Sequence, residues 1–216
     1  MANEILNVAI IDYGSGNLHS AAKAFERVAA DFGGTVTVTD KPDDLAKASH
    51  IVLPGVGAYA DCKAGLTAVD GMMDALQHQV INKAKPFLGI CVGMQLMADW
   101  GREHGDTPGF GWIGGEVAAI AAADKGLKIP HMGWNALEIT GDHPAFADLP
   151  AGAHTYFVHS YSFRTTDPAH VLATVDYGGP ITAVIGRDNM IGTQFHPEKS
   201  QRVGLAFIRG YLEWRP

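Results

Sequence analysis

With 216 residues, 47% of them hydrophobic and 18% charged, the chain can bury one generous α/β core without disulfide or metal staples. Its net charge of -7, with no compensating basic stripe, excludes the usual nucleic-acid binders. Two cysteines, Cys62 and Cys91, make no disulfide framework, and no apolar run reaches the roughly 18 residues of a membrane span.

The first six residues carry no basic patch ahead of an apolar core, so no signal peptide is expected and a reducing, cytoplasmic setting is. Ile5 to Ile11 reads as a short apolar strand closed by the turn Asp12-Tyr13-Gly14-Ser15-Gly16-Asn17. A helix follows, with Asn17 as a candidate N-cap and Leu18, Ala21, Ala22, Phe25, Val28 and Ala29 at helical spacing. Gly14-Ser15-Gly16 lacks the third glycine of a dinucleotide fingerprint, since His19 stands there, and a tight strand-to-helix turn at a ligand-binding edge is the better reading.

Thr35 to Thr39 alternates as a strand, Pro42-Asp43-Asp44 opens a short helix, and His50 to Leu53 is a further strand. That strand runs into Pro54-Gly55-Val56-Gly57. Such a loop is either a simple turn or a flexible backbone that aims an N–H group at a reacting oxygen. Helical patterning covers Ala60 to about Lys83, broken at Asp70-Gly71, with Cys62 inside it as a structural residue.

Phe87 to Ile90 then leads straight into a helix expected over Val92 to Trp100, with Cys91 at the junction. Gly89-Ile90-Cys91-Val92-Gly93 has the form of a nucleophile elbow, in which small residues flank a sharp bend and the middle side chain is forced outward. The helix N-terminus behind it would favour a thiolate. A buried core cysteine is the plain alternative, but a core strand gains nothing from two glycines.

Gly101 to Gly115 reads as loop. Strand-like pieces follow at Glu116 to Ile120, Asn135 to Ile139, Thr155 to His159, Val171 to Val175, Ile181 to Ile185 and Met190 to Phe195, and a last helix at about Gln201 to Trp214. The alternation of strand and helix up to Trp100 argues for a mostly parallel open sheet flanked by helices, with an antiparallel extension in the second half. No linker divides the chain, so residues 1–216 are expected to form a single domain.

A cysteine nucleophile needs a base, and the base an orienter. His196, in Gln194-Phe195-His196-Pro197-Glu198, is the one histidine with a carboxylate two residues away on an extended segment, so Glu198 can turn back to the imidazole. An ion-paired surface turn is the alternative. His19, His50, His78, His104, His143, His154 and His170 offer no comparable partner. No histidine or cysteine cluster has metal-ligand spacing, and neither metal nor cofactor is expected.

Taken together, these motifs resemble the class I (triad) glutamine amidotransferases, a flavodoxin-like α/β fold. Pro54-Gly55-Val56-Gly57 and His131-Met132-Gly133-Trp134-Asn135 bring the chain nearest to the glutaminase subunits of imidazole glycerol phosphate synthases in histidine biosynthesis. Tyr156-Phe157-Val158-His159-Ser160-Tyr161 and His196-Pro197-Glu198-Lys199-Ser200 match as well. The resemblance implies a Cys91–His196–Glu198 triad acting on L-glutamine, with oxyanion donors from Val92 and the Val56–Gly57 segment.

It further implies a glutamine pocket lined by Gln95, His159, Ser160 and Tyr161. Glu103 is a weaker match, proposed for the substrate's amino group. A (β/α)8-barrel synthase partner is implied too, taking ammonia to make imidazole glycerol phosphate and AICAR in a heterodimer. Asn17, Trp134, Asn135 and Lys199 match partner-facing positions, although core packing would equally explain Trp134. Three rivals share much of this pattern: a sibling amidotransferase of the anthranilate type, a stand-alone cysteine hydrolase and a silent regulatory binder.

Overall fold

The computed structural model describes residues 6–121 and 126–216; Ile5, the expected start of the first strand, lies outside the described residues. The parallel half comprises β1 (Asn7–Ile11), β2 (Thr35–Thr39), β3 (His50–Gly55) and β4 (Phe87–Cys91). Along β3 and β4 every residue is buried, as expected for central strands covered on both faces. The helices are α1 (Leu18–Ala29), α2 (Pro42–Lys47), α3 (Tyr59–Ala68) and α4 (Met72–Leu76), the last continued by a π-turn over Gln77–Asn82. Gly71 breaks α3 from α4 with φ +72°, where the Asp70-Gly71 pair foretells a break.

One turn of helix, α5 (Val92–Gln95), follows β4, which corrects the expected helix over Val92 to Trp100. The loop beyond it captures the carbonyls that a further turn would use. Phe110 N–H donates to Leu96 O (2.8 Å), Trp112 and Ile113 N–H to Met97 O (3.0 Å each), and Gly111 N–H to Ala98 O (3.0 Å). Short strands β5 (Trp100–Gly101) and β6 (Thr107–Pro108) bracket that loop.

The second half adds β7 (Gly115–Ala119), β8 (His131–Ala136), β9 (Glu138–Ile139), β10 (His154–His159), β11 (Tyr161–Thr165), β12 (Val171–Asp176), β13 (Pro180–Arg187) and β14 (Met190–Thr193). It closes with α6 (Gln201–Glu213). The main sheet runs β2-β1-β3-β4-β14-β13-β12-β9, parallel from β2 to β14 and antiparallel beyond. The α/β architecture with an antiparallel extension is therefore as the sequence reads.

Two details differ. The strand expected over Asn135 to Ile139 divides between two sheets, because Leu137 is buried at the joint, where its N–H donates to Ala153 O (2.8 Å). Strand β11 has no counterpart in the sequence reading; it leaves β10 at Ser160 to pair antiparallel with β7.

Helix α6 covers the sheet beside α1. Phe25 meets Tyr211 edge-on with centroids 6.4 Å apart, and the buried Tyr211 hydroxyl donates to Ile51 O (2.9 Å) and Pro86 O (3.0 Å). That bond ties α6 to the entry of β3 and β4 and so fixes the depth of both strands. Their opposite, C-terminal ends present Gly55 and Cys91 side by side in register.

Candidate active site

Parallel strands of an α/β sheet present ligands at their C-terminal ends, and Cys91 is the last residue of β4. Its φ of +55° and ψ of -111° are unusual for a residue with a side chain. Such a conformation costs of order 1–3 kcal/mol and persists only where the surroundings enforce it. They do so here through both flanking glycines. A Cβ on Gly89 would stand 2.6 Å from Gly93 O, and one on Gly93 would collide with the Leu53 carbonyl oxygen. Cys91 itself is 4% exposed, yet it lines a cavity of about 310 Å³ rather than lying sealed in the core. A single helical turn carries little macrodipole, so the thiolate support expected from a long helix reduces to the free N–H groups at its start.

His196 follows β14, which is the immediate parallel neighbour of β4, and that adjacency brings residues 91 and 196 together. Pro197 keeps the segment extended at His196 (φ -97°, ψ 100°) before a 3-10 turn over Pro197–Lys199 returns Glu198 to the ring. Nδ1 lies 2.8 Å from Glu198 Oε1, with both side chains 2–3% exposed. Burial alone pushes the imidazole's pKa down. Hydrogen bonding and charge from Cys91 and Glu198 outweigh it and raise the value from 6.5 to about 9. Among the described residues Nε2 has no hydrogen-bond partner of regular geometry, although the Cys91 thiol is among the groups that act on the imidazole. Such contacts commonly tighten only when substrate is bound.

The cavity gathers Val56, Gly57, Val92, Gln95, Glu103, His159, Ser160 and Tyr161 with the cysteine and histidine, so the expected pocket residues converge. Glu103 is already partly engaged, with Oε2 accepting the Tyr59 N–H (2.7 Å) at the start of α3. In the segment expected to supply an oxyanion donor, the Val56 N–H turns to Ser15 Oγ (3.4 Å), and the Ser15 hydroxyl donates back to Val56 O (2.5 Å). Because the peptide is planar and trans, the Gly55 carbonyl faces away from Ser15. Cys62, as expected, is structural: its thiol donates to Val56 O (3.4 Å) and lies 3.3 Å from Ser15 Oγ.

Two contributors escape sequence reasoning. Gln194 is fully buried, and its Nε2 points at Cys91 Sγ (3.6 Å) while its Oε1 accepts from Gln95 Nε2 (2.9 Å). His131 stands behind the cavity wall, Nδ1 to His159 Nε2 at 3.0 Å. The spacing of Gln194 from His196 hints at the former in the sequence; the latter heads the His131–Asn135 motif, but nothing local shows that it reaches His159.

Of the residues expected at a partner surface, Trp134 is 46% exposed and meets Tyr156 edge-on at 6.0 Å, and Lys199 Nζ lies 5.9 Å from the same ring. Met132, 65% exposed, shares the face of β8 with Trp134. Asn135 instead turns inward, donating to Asp176 O (2.9 Å). Asn17 precedes α1, half-buried, and its side chain makes no capping bond. Among the described residues no three His, Cys, Asp or Glu side chains converge as metal ligands do, and no helix is long and apolar enough to cross a membrane.

The elbow cysteine thus shares one cavity with a buried histidine–glutamate pair. The sequence pattern of class-I glutamine amidotransferases matches residues 9–209. The subunit HisH of imidazole glycerol phosphate synthase from Rhodospirillum rubrum is 58% identical over 98% of this chain and all of its own; that from Rhodopseudomonas palustris is 56% identical with the same coverage. Among solved structures, a glutamine amidotransferase superposes with a TM-score of 0.72 at 18% identity, covering 94% of this chain and 98% of its own. Another glutamine amidotransferase, from Thermotoga maritima, gives 0.63 at 19%, covering 89% and 76%. The chain belongs to the class-I glutamine amidotransferases, in the branch of the imidazole glycerol phosphate synthase glutaminase subunits.

Proposed function

We propose that residues 1–216 act as one glutaminase domain that hydrolyses L-glutamine to glutamate and hands the ammonia to a synthase partner. The buried His196–Glu198 pair beside the strained Cys91 carries this reading. A free thiol is only a few per cent ionised at neutral pH. The histidine, protonated below about 9, stabilises the thiolate as an ion pair. Cys91 sulfur attacks the side-chain amide carbon, and the developing oxyanion is met by the Val92 N–H at the start of α5. Collapse expels ammonia with a proton from His196, leaving a glutamyl thioester. His196 then takes a proton from water as it attacks the thioester, glutamate departs, and the thiol is restored.

Gln95, His159, Ser160 and Tyr161 hold the glutamine, and Glu103 Oε1, the oxygen not bound to Tyr59, receives its ammonium group. A second oxyanion donor requires the Gly55–Val56 peptide to rotate off Ser15, so the chain rests in a weakly active state. That arrangement favours a partner-gated glutaminase over a stand-alone hydrolase. Ammonia released into neutral water becomes ammonium and loses its nucleophilicity, which makes direct transfer to a (β/α)8-barrel synthase the productive route. The partner makes imidazole glycerol phosphate and AICAR in the cytoplasm and docks on the face of Met132, Trp134 and Lys199, with Asn17 and Asn135 near its margin. Cys91→Ala tests the scheme: glutamine-driven synthesis by the pair is lost while ammonia-driven synthesis continues. Retention of the glutamine-driven reaction refutes the nucleophile.

A further inference from the structure

The cavity wall is backed by a row of polar groups whose proton positions follow from geometry alone. His159 Nδ1 lies 2.8 Å from Tyr161 O. A carbonyl only accepts, so Nδ1 carries the proton and Nε2 is an acceptor. His131 Nδ1, 3.0 Å from that Nε2, must be the donor, which leaves His131 Nε2 to accept from Asn135 Nδ2 at 3.4 Å. The Asn135 amide is oriented independently, since Nδ2 also donates to Asp176 O and Oδ1 accepts the Ala136 N–H (2.9 Å each). Both ends therefore demand the same tautomers.

The His131 ring is held in place by stacking on Phe157 (centroids 4.9 Å, 21°) and Tyr177 (4.1 Å, 27°). At the far end, Tyr161 O also accepts from Gln95 Nε2 (3.3 Å), whose other hydrogen goes to Gln194. His131 and His159 are 3% and 6% exposed. The titratable groups that act on His159 are His131 from β8 and His196 from the turn after β14, and both oppose its protonation; burial opposes it most, placing its pKa at about 4.

We propose that His131 is a positioning residue of the glutamine site: its Nδ1–H occupies the His159 Nε2 lone pair, locks His159 as the Nδ1–H tautomer, and so anchors the Tyr161 carbonyl and Gln95 behind the substrate. The proposal rests on the glutaminase reading above. It explains how an imidazole stays neutral beside one that must be cationic, because a protonated His159 would set a second positive charge against His196.

The test uses the chain with its synthase partner for kinetics and 15N-labelled chain for NMR. His131→Phe keeps the stacked ring and removes the donor, whereas His131→Asn offers an amide N–H near the old Nδ1 position. For His131→Phe the KM for glutamine rises about tenfold, the scale of one buried hydrogen bond, with kcat at high pH little changed. In that variant the His159 Nε2 loses its donor, and its 15N signal moves downfield towards that of an unbonded acceptor nitrogen. His131→Asn restores both. Equal behaviour of the two variants, whether intact or impaired, reduces His131 to packing and overturns the proposal. The wild-type spectrum decides without any variant: an Nε2–H signature for His159 refutes the assignment. Absence of glutamine hydrolysis by the wild-type pair would sink the glutaminase reading, and the tautomer measurement would still judge His131.

Discussion

Glu198→Gln perturbs the site with almost no change of shape. Glu198 Oε1 accepts from His196 Nδ1 at 2.8 Å, while its Oε2 is buried with no partner among the described residues. An amide placed there must choose. With its oxygen towards the ring, its NH2 is buried where the carboxylate oxygen has no partner among the described residues, and a donor left unsatisfied there costs about 1–3 kcal/mol. With its NH2 towards the ring, it donates to Nδ1 and forces the proton onto Nε2, the nitrogen that must receive the thiol proton. The second choice is favoured, and it disables the base. Inversion of a catalytic tautomer lowers kcat by roughly 10³–10⁴, or about 4–5.5 kcal/mol of barrier. Loss of the carboxylate also leaves burial unopposed on that side, so the His196 pKa falls from about 9. The assay is glutamine hydrolysis by the subunit pair, with ammonia-driven synthesis as the control for assembly and 15N NMR of His196 for the tautomer. A loss of tenfold or less, or a His196 that keeps its Nδ1 proton, refutes the reasoning.

Gly93→Ala drives a methyl group into the Leu53 carbonyl, backbone against backbone, and is expected to cost roughly 3–5 kcal/mol; a Tm within about 3 °C of wild type, the equivalent of only ~1 kcal/mol in a chain of this size, contradicts the elbow's steric account. Ser15→Ala removes the hydroxyl that holds Val56 N–H and C=O, and raises glutamine hydrolysis by the lone chain several-fold, the worth of about one hydrogen bond; an unchanged basal rate refutes the latch. Burial lowers the pKa of His50, His143 and His159 to about 4 each. A histidine depressed below its unfolded value of about 6.5 stabilises the fold above that pH and loses this contribution as pH falls towards 4, at most about 3 kcal/mol per group. His196 has the opposite sign: its contribution is complete below about 6.5 and is lost as pH rises through about 9. Denaturant titrations from pH 4 to 10 should therefore show stability falling at both ends, steeply on the acid side; a flat acid limb contradicts the burial of those rings.

The elbow and the His-Pro-Glu turn are legible in the sequence because each is local: two glycines about Cys91, and a proline between His196 and Glu198. The parallel half of the sheet follows from its apolar runs. What escapes depends on partners distant in the chain. The helix after Cys91 stops short because carbonyls at residues 96–98 are claimed by N–H groups at 110–113, which no periodicity announces. The resemblance implies an oxyanion donor from the Val56–Gly57 segment, and a serine 41 residues before Val56 holds that residue's N–H. Gln194 reaches Cys91 across 103 residues and His131 reaches His159 across 28. Strand β11 hides in the sequence because Ser160 splits one apolar stretch between two sheets.

Everything above requires Cys91 to be the sulfur that meets glutamine. Treating the chain, bound to its synthase partner, with a glutamine-shaped chloroketone and mapping the adduct by peptide mass spectrometry tests this most directly. One adduct on Cys91, blocked by excess glutamine, is the expected result. Cys62, 1% exposed and engaged with Ser15 and Val56, remains unmodified. An adduct on Cys62, or none on Cys91 in the active pair, would contradict it.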